Sequence, residues 1–480
     1  MASRKIITLL LAAASLASCK KVLQTEPQYN VDGSTSFTTI NDFDFTLTGA
    51  YALFQSTSYY GATDARANAF ALLPDLLADN LDETSESLGN ERVFSRWTYA
   101  ADETQIERVW LAGYRIIAQA NLIPTKGIDR FSTSNAGAVN RIKGQALAIR
   151  AMVHFDLMRY WVEDYDRNST KPGIPYMTEF NYEALPSRGT VKGTYDHIES
   201  DLKTAKTLMR QMDRAINTGS SRAYMDSSAV NALLARVYLY AKQYDSAIKY
   251  ASYAINARPL ASRTAFPGIW TDASVSEVFW TSVFESGQGA PGSNVYAANV
   301  NRSQYRPNPT LAASYDAAND VRYASYFSTI ARNNSTTTRL VLSKYNAKAA
   351  QVTKPDGVVN FKAFRTGEMY LIRAEAYARK GNDALGNADL QALRTARIAG
   401  YTATTLTGTP LLDAIAQERR KELIGEGHRF FDLKRAVHVI NRTDCTAFCT
   451  LSSTNRAWNW PIPQPEIDAN PNILPQNPGY

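Results

Sequence analysis

The strongest constraint on the fold of this 480-residue chain is a pattern of amphipathic helices. Residues 137–161 carry apolar side chains at spacings of three and four, which predicts one long helix. The apolar positions are Ile142, Ala146, Ile149, Val153 and Leu157. A helix with such a stripe needs a neighbour on which to bury it, so helix-on-helix packing is expected here.

The same periodicity predicts two helical hairpins, each interrupted by a short break. The break falls at Lys242-Gln243 within residues 226–256 and at Lys380-Gly381-Asn382 within residues 368–397. Each hairpin is weakly similar to a tetratricopeptide unit, with small and aromatic residues before the turn. We count four such pairs, centred near residues 110–160, 190–256, 365–397 and 410–436. The fold is therefore predicted to be mainly α, with minor β structure.

Periodicity fades between residues 257 and 365, which are rich in Gly, Ser, Asn, Pro and Tyr. Short β-like runs occur at Val275–Phe284 and Leu340–Tyr345. We expect a long irregular insertion packed on the helical scaffold. Loops carried by a rigid scaffold are the usual place for ligand contacts.

The N-terminal residues are typical of a lipoprotein export signal. Arg4 and Lys5 precede an apolar stretch, and Leu16-Ala17-Ser18-Cys19 matches the bacterial lipobox. We expect cleavage after residue 18 and lipidation of Cys19, which would hold the protein to a membrane by acyl chains. A plain secretory signal with an incidental cysteine is an alternative. A transmembrane helix is disfavoured because spanning a bilayer takes about 20 apolar residues.

Composition argues against nucleic acid as a partner. Loss of Arg4 and Lys5 with the signal lowers the formal net charge from +7 to +5, spread over a long chain. The sequence has no basic block interleaved with aromatics and no zinc-finger pattern. Tyrosine is abundant, at 27 residues, and a minority of these rings on loops would suit a binding protein.

Two cysteines remain after Cys19 is assigned to lipid. Cys445 and Cys449 are separated by three residues, and a disulfide between them suits an oxidising compartment. Two free thiols are the alternative, and a metal site is less favoured because no CxxC or HxxxH partner lies nearby. We expect no bound metal.

No sequence motif assigns a catalytic reaction or a cofactor. Gly287-Gln-Gly289-Ala-Pro-Gly292 has GxGxxG spacing, but the residues after Pro291 are non-helical, so a flexible loop is predicted. The segment from Glu418 to Arg435 contains carboxylates four residues apart, at Glu418, Glu422 and Glu426. Such a pair can serve acid–base catalysis, but alternating charges at helical spacing favour ion pairing between helices. The protein is predicted not to be an enzyme.

This charged segment closely resembles the ERR-x-EL-x-x-EG-x-R-x-x-D-L-x-R signature of the SusD/RagB family. The matching residues run from Gln417 to Arg435. Other segments agree in the family's order. They include Trp110–Asn121, Gly144–Leu157, Gly173-Ile-Pro175, Thr190–Leu202, Arg373–Tyr377, Asp389–Arg394 and Pro461–Tyr480.

The resemblance covers nearly the whole mature chain. It implies a SusD-like scaffold of four tetratricopeptide-like helix pairs, with residues 19–480 forming one domain. It also implies an outer-membrane lipoprotein that acts as a mobile lid on a SusC-like TonB-dependent transporter and captures nutrients at the cell surface. The chain departs from related surface lipoproteins at Lys20-Lys21, since no acid precedes Glu26.

The resemblance places ligand contacts in the N-terminal loops and in the irregular insertion. The candidates are Asp79, Asn80, Arg96, Trp97, Tyr99, Trp270, Tyr296 and Tyr305, whereas Trp280 is assigned to the core. Aromatic faces can stack on the C–H face of a sugar, and polar side chains can bind its hydroxyls. Ordinary packing is the alternative role for each residue. Double replacement of Trp97 and Tyr296 by alanine is predicted to weaken glycan retention without unfolding the protein.

An oligosaccharide is the expected ligand, and a peptide is the main alternative because the same scaffold can serve peptide uptake. A structural assembly lipoprotein and a glycoside hydrolase are less favoured.

Overall fold

The structure is a computed structural model that describes residues 36–480 except 64, 65, 67, 220, 332–335 and 354. The expected signal at residues 1–18 and the lipidation site at Cys19 lie outside the described residues. Within the described part of the chain, no helix is long and apolar enough to cross a membrane.

The described residues form sixteen α-helices, named here in chain order. They are α1 (Ile40–Leu53), α2 (Leu73–Leu76), α3 (Arg92–Ser95), α4 (Thr104–Thr125), α5 (Ala136–Trp161), α6 (Val191–Leu208), α7 (Ser227–Tyr240), α8 (Tyr244–Ala257), α9 (Phe266–Ile269), α10 (Pro309–Ala313), α11 (Val321–Tyr326), α12 (Thr366–Arg379), α13 (Asp383–Arg397), α14 (Gly408–Glu422), α15 (Arg429–Arg435) and α16 (Gln464–Ala469).

Ten short strands are present in the same part of the chain. They are β1 (Leu81–Glu83), β2 (Val278–Ser282), β3 (Tyr296–Ala297), β4 (Arg302–Ser303), β5 (Tyr305–Pro307), β6 (Phe327–Ala331), β7 (Thr338–Leu342), β8 (Phe361–Arg365), β9 (Ile440–Asn441) and β10 (Thr450–Leu451). They pair antiparallel as β1–β5, β2–β8, β3–β4, β6–β7 and β9–β10.

The predicted helical scaffold is confirmed. Helices pack as neighbours along the array, with α4 on α5, α5 on α6, α7 on α8, and α12 on both α13 and α14. Both predicted hairpin breaks are present, because α7 ends before Lys242 and α12 ends before Gly381. Lys242 and Gly381 have positive φ angles of 55° and 75°, which reverse the chain direction between the helices.

The long helix predicted at residues 137–161 is present as α5, but it is buried on all its faces and not only along one apolar stripe. From Ile142 to Trp161 all but one of its residues are buried, because α4, α6 and α1 surround it. Its C-terminal end packs on Trp460, which stacks on Tyr160 with ring centroids 3.7 Å apart. The helix is therefore the centre of the core, and its polar residues are buried among neighbours.

The irregular segment 257–365 begins and ends at neighbouring positions of the helical array. Helix α8 before it packs directly on helix α12 after it, and β2 pairs with β8 at the two ends of the segment. The segment is thus inserted between adjacent elements of the array, as predicted. The first β-like run contains β2, and the second overlaps the end of β7.

The charged signature forms a buried ion-paired network, as its spacing predicted. Glu422 contacts Arg322 at 3.0 Å and Arg365 and Arg397 at 2.9 Å, with all four side chains fully buried. We call the connected set the charge network. Its members are Glu277, Asp320, Arg322, Lys344, Arg365, Arg397, Glu418, Glu422 and Glu426.

The charge network joins the insertion to the array. Arg322 and Arg365 belong to the insertion, whereas Arg397 and Glu422 belong to α13 and α14. Burial raises the pKa of Glu422, but the surrounding arginines outweigh burial and hold it well below its ordinary value. This carboxylate is enclosed and permanently paired, so it acts as scaffold.

Candidate functional site

Four of the aromatic ligand candidates are core residues, which corrects the sequence-based expectation. Trp97, Tyr99, Trp270 and Tyr305 are each no more than 7% exposed. The Trp97 indole N–H donates to the carbonyl of Leu77 at 2.9 Å, and the Tyr99 hydroxyl donates to the carbonyl of Ala457. These rings pack under the loops that were expected to present them, so none offers a face to a ligand.

Trp270 has a specific internal role. The ammonium of Lys344 lies 4.0 Å from its ring centroid, and the guanidinium of Arg365 lies 5.0 Å from it. A desolvated cation over an aromatic face is stabilised by the ring's quadrupole. Trp270 therefore covers the charge network. Trp280, assigned to the core, is fully buried.

The polar candidates Asn80 and Asp79 bind protein groups. Asn80 is 1% exposed, donates to Asp75 at 2.5 Å and accepts from Arg420 at 2.8 Å, so its prediction as a ligand contact is also corrected. Asp79 is half-buried and pairs with Arg429 at 2.7 Å. Burial raises the pKa of Asp79, but the hydrogen bond to Arg429 and the charges of Arg429 and Arg420 together outweigh burial and lower the pKa below its ordinary value.

Arg96 is the candidate that lines a cleft with an exposed aromatic ring. We call this cavity of about 550 Å³ the loop cleft. It lies where the segment after β1 meets the loop between β9 and β10. The residues that line it are Glu83, Arg92, Arg96, Thr443, Asp444, Cys445, Thr446, Ala447 and Phe448.

One wall of the loop cleft is a set of paired charges. Glu83 accepts from the Arg92 Nε at 2.8 Å and lies 3.5 Å from Arg96. Arg96 also lies 3.5 Å from the Asp444 carboxylate and donates to the Asp444 carbonyl at 3.1 Å. The Arg96 Nη1 has no hydrogen-bond partner among the described residues. This nitrogen is buried and lies in the ion pair with Asp444, and the Arg96 side chain is 16% exposed.

A buried arginine fixes the other side of the loop cleft. Arg442 donates to the carbonyls of Leu76, Ala78 and Leu81 at 2.6 to 2.8 Å and pairs with Asp444 at 2.8 Å. Asp444 in turn accepts from the backbone N–H of Glu83 at 2.7 Å. Burial raises the pKa of Asp444, but Arg442, the backbone N–H of Glu83 and Arg96 together outweigh burial and lower the pKa. The carboxylate is ionised at neutral pH and acts as an acceptor.

Phe448 is the residue that sequence reasoning missed. Its side chain is 69% exposed, and its φ of 54° is in the left-handed region that aromatic residues rarely adopt. The structure joins Cys445 to Cys449 by a disulfide, with Cα atoms 5.8 Å apart. The cysteine pair in the sequence was the available signal, because it encloses Phe448.

Tyr296 is half-buried on the β3–β4 hairpin near the same segment. Its hydroxyl donates to Asn301 at 3.4 Å, and burial raises its pKa. Its cross-strand partner Ser303 donates its backbone N–H to Glu86, three residues beyond Glu83, at 2.9 Å. Tyr296 does not line the loop cleft, and its role as a ligand contact stays a prediction.

The arrangement is suited to binding. Phe448 offers an aromatic face for C–H groups, and the mostly exposed guanidinium of Arg92, with the partly exposed one of Arg96, offers donors for hydroxyls or amides. Among the residues that the structure describes, no group of three or more His, Cys, Asp or Glu side chains could hold a metal ion.

Two family models match the chain in different parts. The model described as the SusD family matches residues 291–480. The model described as starch-binding and associating with the outer membrane matches residues 52–239. SusD-like protein P2 of Formosa agariphila is 24% identical to this chain, over 99% of each.

Solved structures resemble the chain over nearly its full length. A SusD superfamily protein of Bacteroides thetaiotaomicron is 27% identical, with a TM-score of 0.78 over 92% of this chain and 100% of that one. A protein of Bacteroides vulgatus described provisionally as sugar binding is also 27% identical, with a TM-score of 0.77 over 93% and 100%. Fold and matches together define a SusD-like nutrient-binding protein. The chain belongs to the SusD/RagB family, and the resemblance seen in the sequence is confirmed.

Proposed function

We propose that this protein binds oligosaccharides at the loop cleft and delivers them to a SusC-like TonB-dependent transporter. The observation that supports this proposal is that the loop cleft combines an exposed aromatic ring with charged side chains, of which Arg92 is mostly exposed and Arg96 partly exposed. Sugar rings present both a C–H face and hydroxyl groups, so they match both walls. The similar protein described as sugar binding and the model described as starch-binding support a glycan ligand.

We also propose that the protein is a lipoprotein of the outer membrane facing the cell surface. Cleavage after residue 18 and acylation of Cys19 would anchor one domain, residues 19–480. Replacement of Cys19 by alanine should abolish palmitate labelling and release the protein from the membrane fraction. Undiminished membrane association of that variant would contradict the anchor.

Affinity electrophoresis tests the ligand class directly. The mature chain without Cys19 would be run in native gels containing amylopectin, xyloglucan, galactomannan, laminarin or pectin. Retardation in one gel supports glycan capture. If every glycan fails and peptide mixtures give binding heat in calorimetry, the ligand is a peptide and the glycan proposal is wrong.

Of the residues predicted from the sequence to bind ligand, we propose Arg96 and Tyr296 as contacts. Asp79 lines a separate cleft near α14 and α15. Tyr296→Ala should weaken retention in the retarding gel. Tyr253→Ala removes an exposed ring from the outer surface of α8 and is the matched control. Equal retention of both variants and the parent protein would remove Tyr296 from the site.

A further inference from the structure

The loop that carries Phe448 is firmly attached at its base. Strands β9 and β10 pair through Asn441 with Thr450, and the backbone N–H of Arg442 donates to the carbonyl of Cys449 at 2.8 Å. The Arg442 side chain is buried and bonds to three carbonyls of the segment 76–81. The base of the hairpin is therefore fixed relative to the charged wall of the loop cleft.

The tip of the hairpin lacks such packing. Thr446, Ala447 and Phe448 are exposed, and the Cys445–Cys449 disulfide closes the chain around them. A cross-link of this kind restricts the conformations open to the enclosed residues. Phe448 also holds a left-handed backbone conformation, which costs free energy for a residue with a Cβ and persists only where the surroundings impose it.

Phe448 combines solvent exposure with a constrained backbone conformation. Hydrophobic burial would favour turning the ring inward, yet 69% of it faces solvent at the edge of the loop cleft. Across that cleft lie Glu83, Arg92 and Arg96, of which Arg92 is mostly exposed and can donate hydrogen bonds to hydroxyls. A pyranose ring in the cleft would meet an apolar face on one side and polar groups on the other.

We propose that the Cys445–Cys449 disulfide holds Phe448 as a stacking platform for a pyranose ring, so that glycan affinity depends on the oxidised hairpin. This inference rests on the proposed function and adds the residue that determines ring recognition. The ligand it fits is an oligosaccharide with one unsubstituted C–H face.

The test uses the mature chain without Cys19, so that Cys445 and Cys449 are its only cysteines. Affinity for the retarding polysaccharide would be measured for Phe448→Ala, Phe448→Trp and the control Phe45→Ala. Phe45 is 74% exposed on α1 and lines a different cleft. Phe448→Ala should bind at least tenfold more weakly, while Phe448→Trp and Phe45→Ala should bind as the parent does.

The disulfide is tested by binding after reduction and by the double variant Cys445→Ser/Cys449→Ser. Both should bind several-fold more weakly than the oxidised protein, with unchanged circular dichroism. Parent-like binding by Phe448→Ala overturns the platform while leaving glycan capture intact. Equal binding by the reduced and oxidised proteins overturns the role of the disulfide. Absence of retardation of the parent in every gel overturns the proposed function and this inference with it.

Discussion

The charge network and the loop cleft use the same residue types in opposite ways. In the charge network, Glu422 and its three arginines are fully buried, and each arginine lies within 3.0 Å of the Glu422 carboxylate. In the loop cleft, Arg96 reaches its two carboxylates only at 3.5 Å, and Arg92 is mostly exposed. Enclosed charges with every partner in place stabilise one geometry, whereas loosely paired charges beside an exposed ring can exchange partners with a ligand.

This difference separates the residues that identify the family from those that bind the ligand. The signature residues Glu418, Glu422 and Glu426 hold the insertion against the helices and leave no surface for a sugar. The loop cleft is lined entirely by residues outside that signature. Substitutions should therefore divide into those that alter stability and those that alter affinity.

The largest expected effect is in the charge network. Glu422→Ala leaves Arg322, Arg365 and Arg397 short of a buried partner and should lower the free energy of unfolding by about 3–5 kcal/mol. Urea denaturation measures the change. Asp245→Ala, which breaks the exposed pair with Lys380, is the control and should cost no more than about 1 kcal/mol. Equal losses in both variants would abolish the distinction between buried and exposed charge.

Replacement of Trp97 tests whether this residue belongs to the core or to the ligand site. Trp97→Ala removes a buried ring and its hydrogen bond to Leu77, so the free energy of unfolding should fall by about 3–5 kcal/mol. Glycan affinity, measured at a temperature where the variant is folded, should stay within a fewfold of the parent. A variant of unchanged stability that no longer binds glycan would return Trp97 to the ligand surface.

Lys434 gives the scaffold a distinctive pH dependence. Burial lowers the pKa of its amine to about 7, while Asp164 and Glu163 partly oppose the shift, and Nζ donates to the carbonyls of Arg159 and Val162. Between pH 7 and about 10 the unfolded chain holds this proton and the folded chain releases it.

The stability of the folded protein should therefore rise with pH across that window, by about 1 kcal/mol per pH unit from this group. Denaturation of the parent and of Lys434→Met at several pH values isolates the contribution. The free energy of unfolding of the parent minus that of Lys434→Met should increase as the pH rises across this window. Parallel profiles would mean that the amine keeps its ordinary pKa.

The smallest effect on the fold is expected in the loop cleft. Arg96→Met leaves Glu83 paired with Arg92 and Asp444 paired with Arg442, so unfolding should change by no more than about 1 kcal/mol. Retention in the retarding gel should nevertheless fall about tenfold, because the donors of the guanidinium are lost. Arg96→Lys keeps the charge without the planar guanidinium, so its retention should lie between that of Arg96→Met and that of the parent protein.

The scaffold was predictable because its signals are local. Hairpin breaks at Lys242 and Gly381 depend on residues a few positions away, and the signature's charge spacing already favoured ion pairing. Burial of the aromatic candidates was not predictable in this way. Tyr99 packs beside Ala457 and Trp460, more than 350 residues along the chain. Composition alone does not distinguish such a ring from one on a binding surface.

The loop cleft was only partly predictable for the same reason. Arg96 was found by resemblance to the family, but its partner Asp444 lies 348 residues away. Phe448 carries no signal of its own in the sequence. Its exposure depends on the β9–β10 hairpin and on the contacts of Arg442 with the segment 76–81.

A crystal structure with an oligosaccharide from the retarding polysaccharide would show where the ligand binds. We expect a sugar ring in the loop cleft, stacked on Phe448, with hydroxyl groups within hydrogen-bond distance of Arg96 or Glu83. A sugar seated instead beside Asp79 and Arg429, or in the cleft that Phe45 lines, would contradict it.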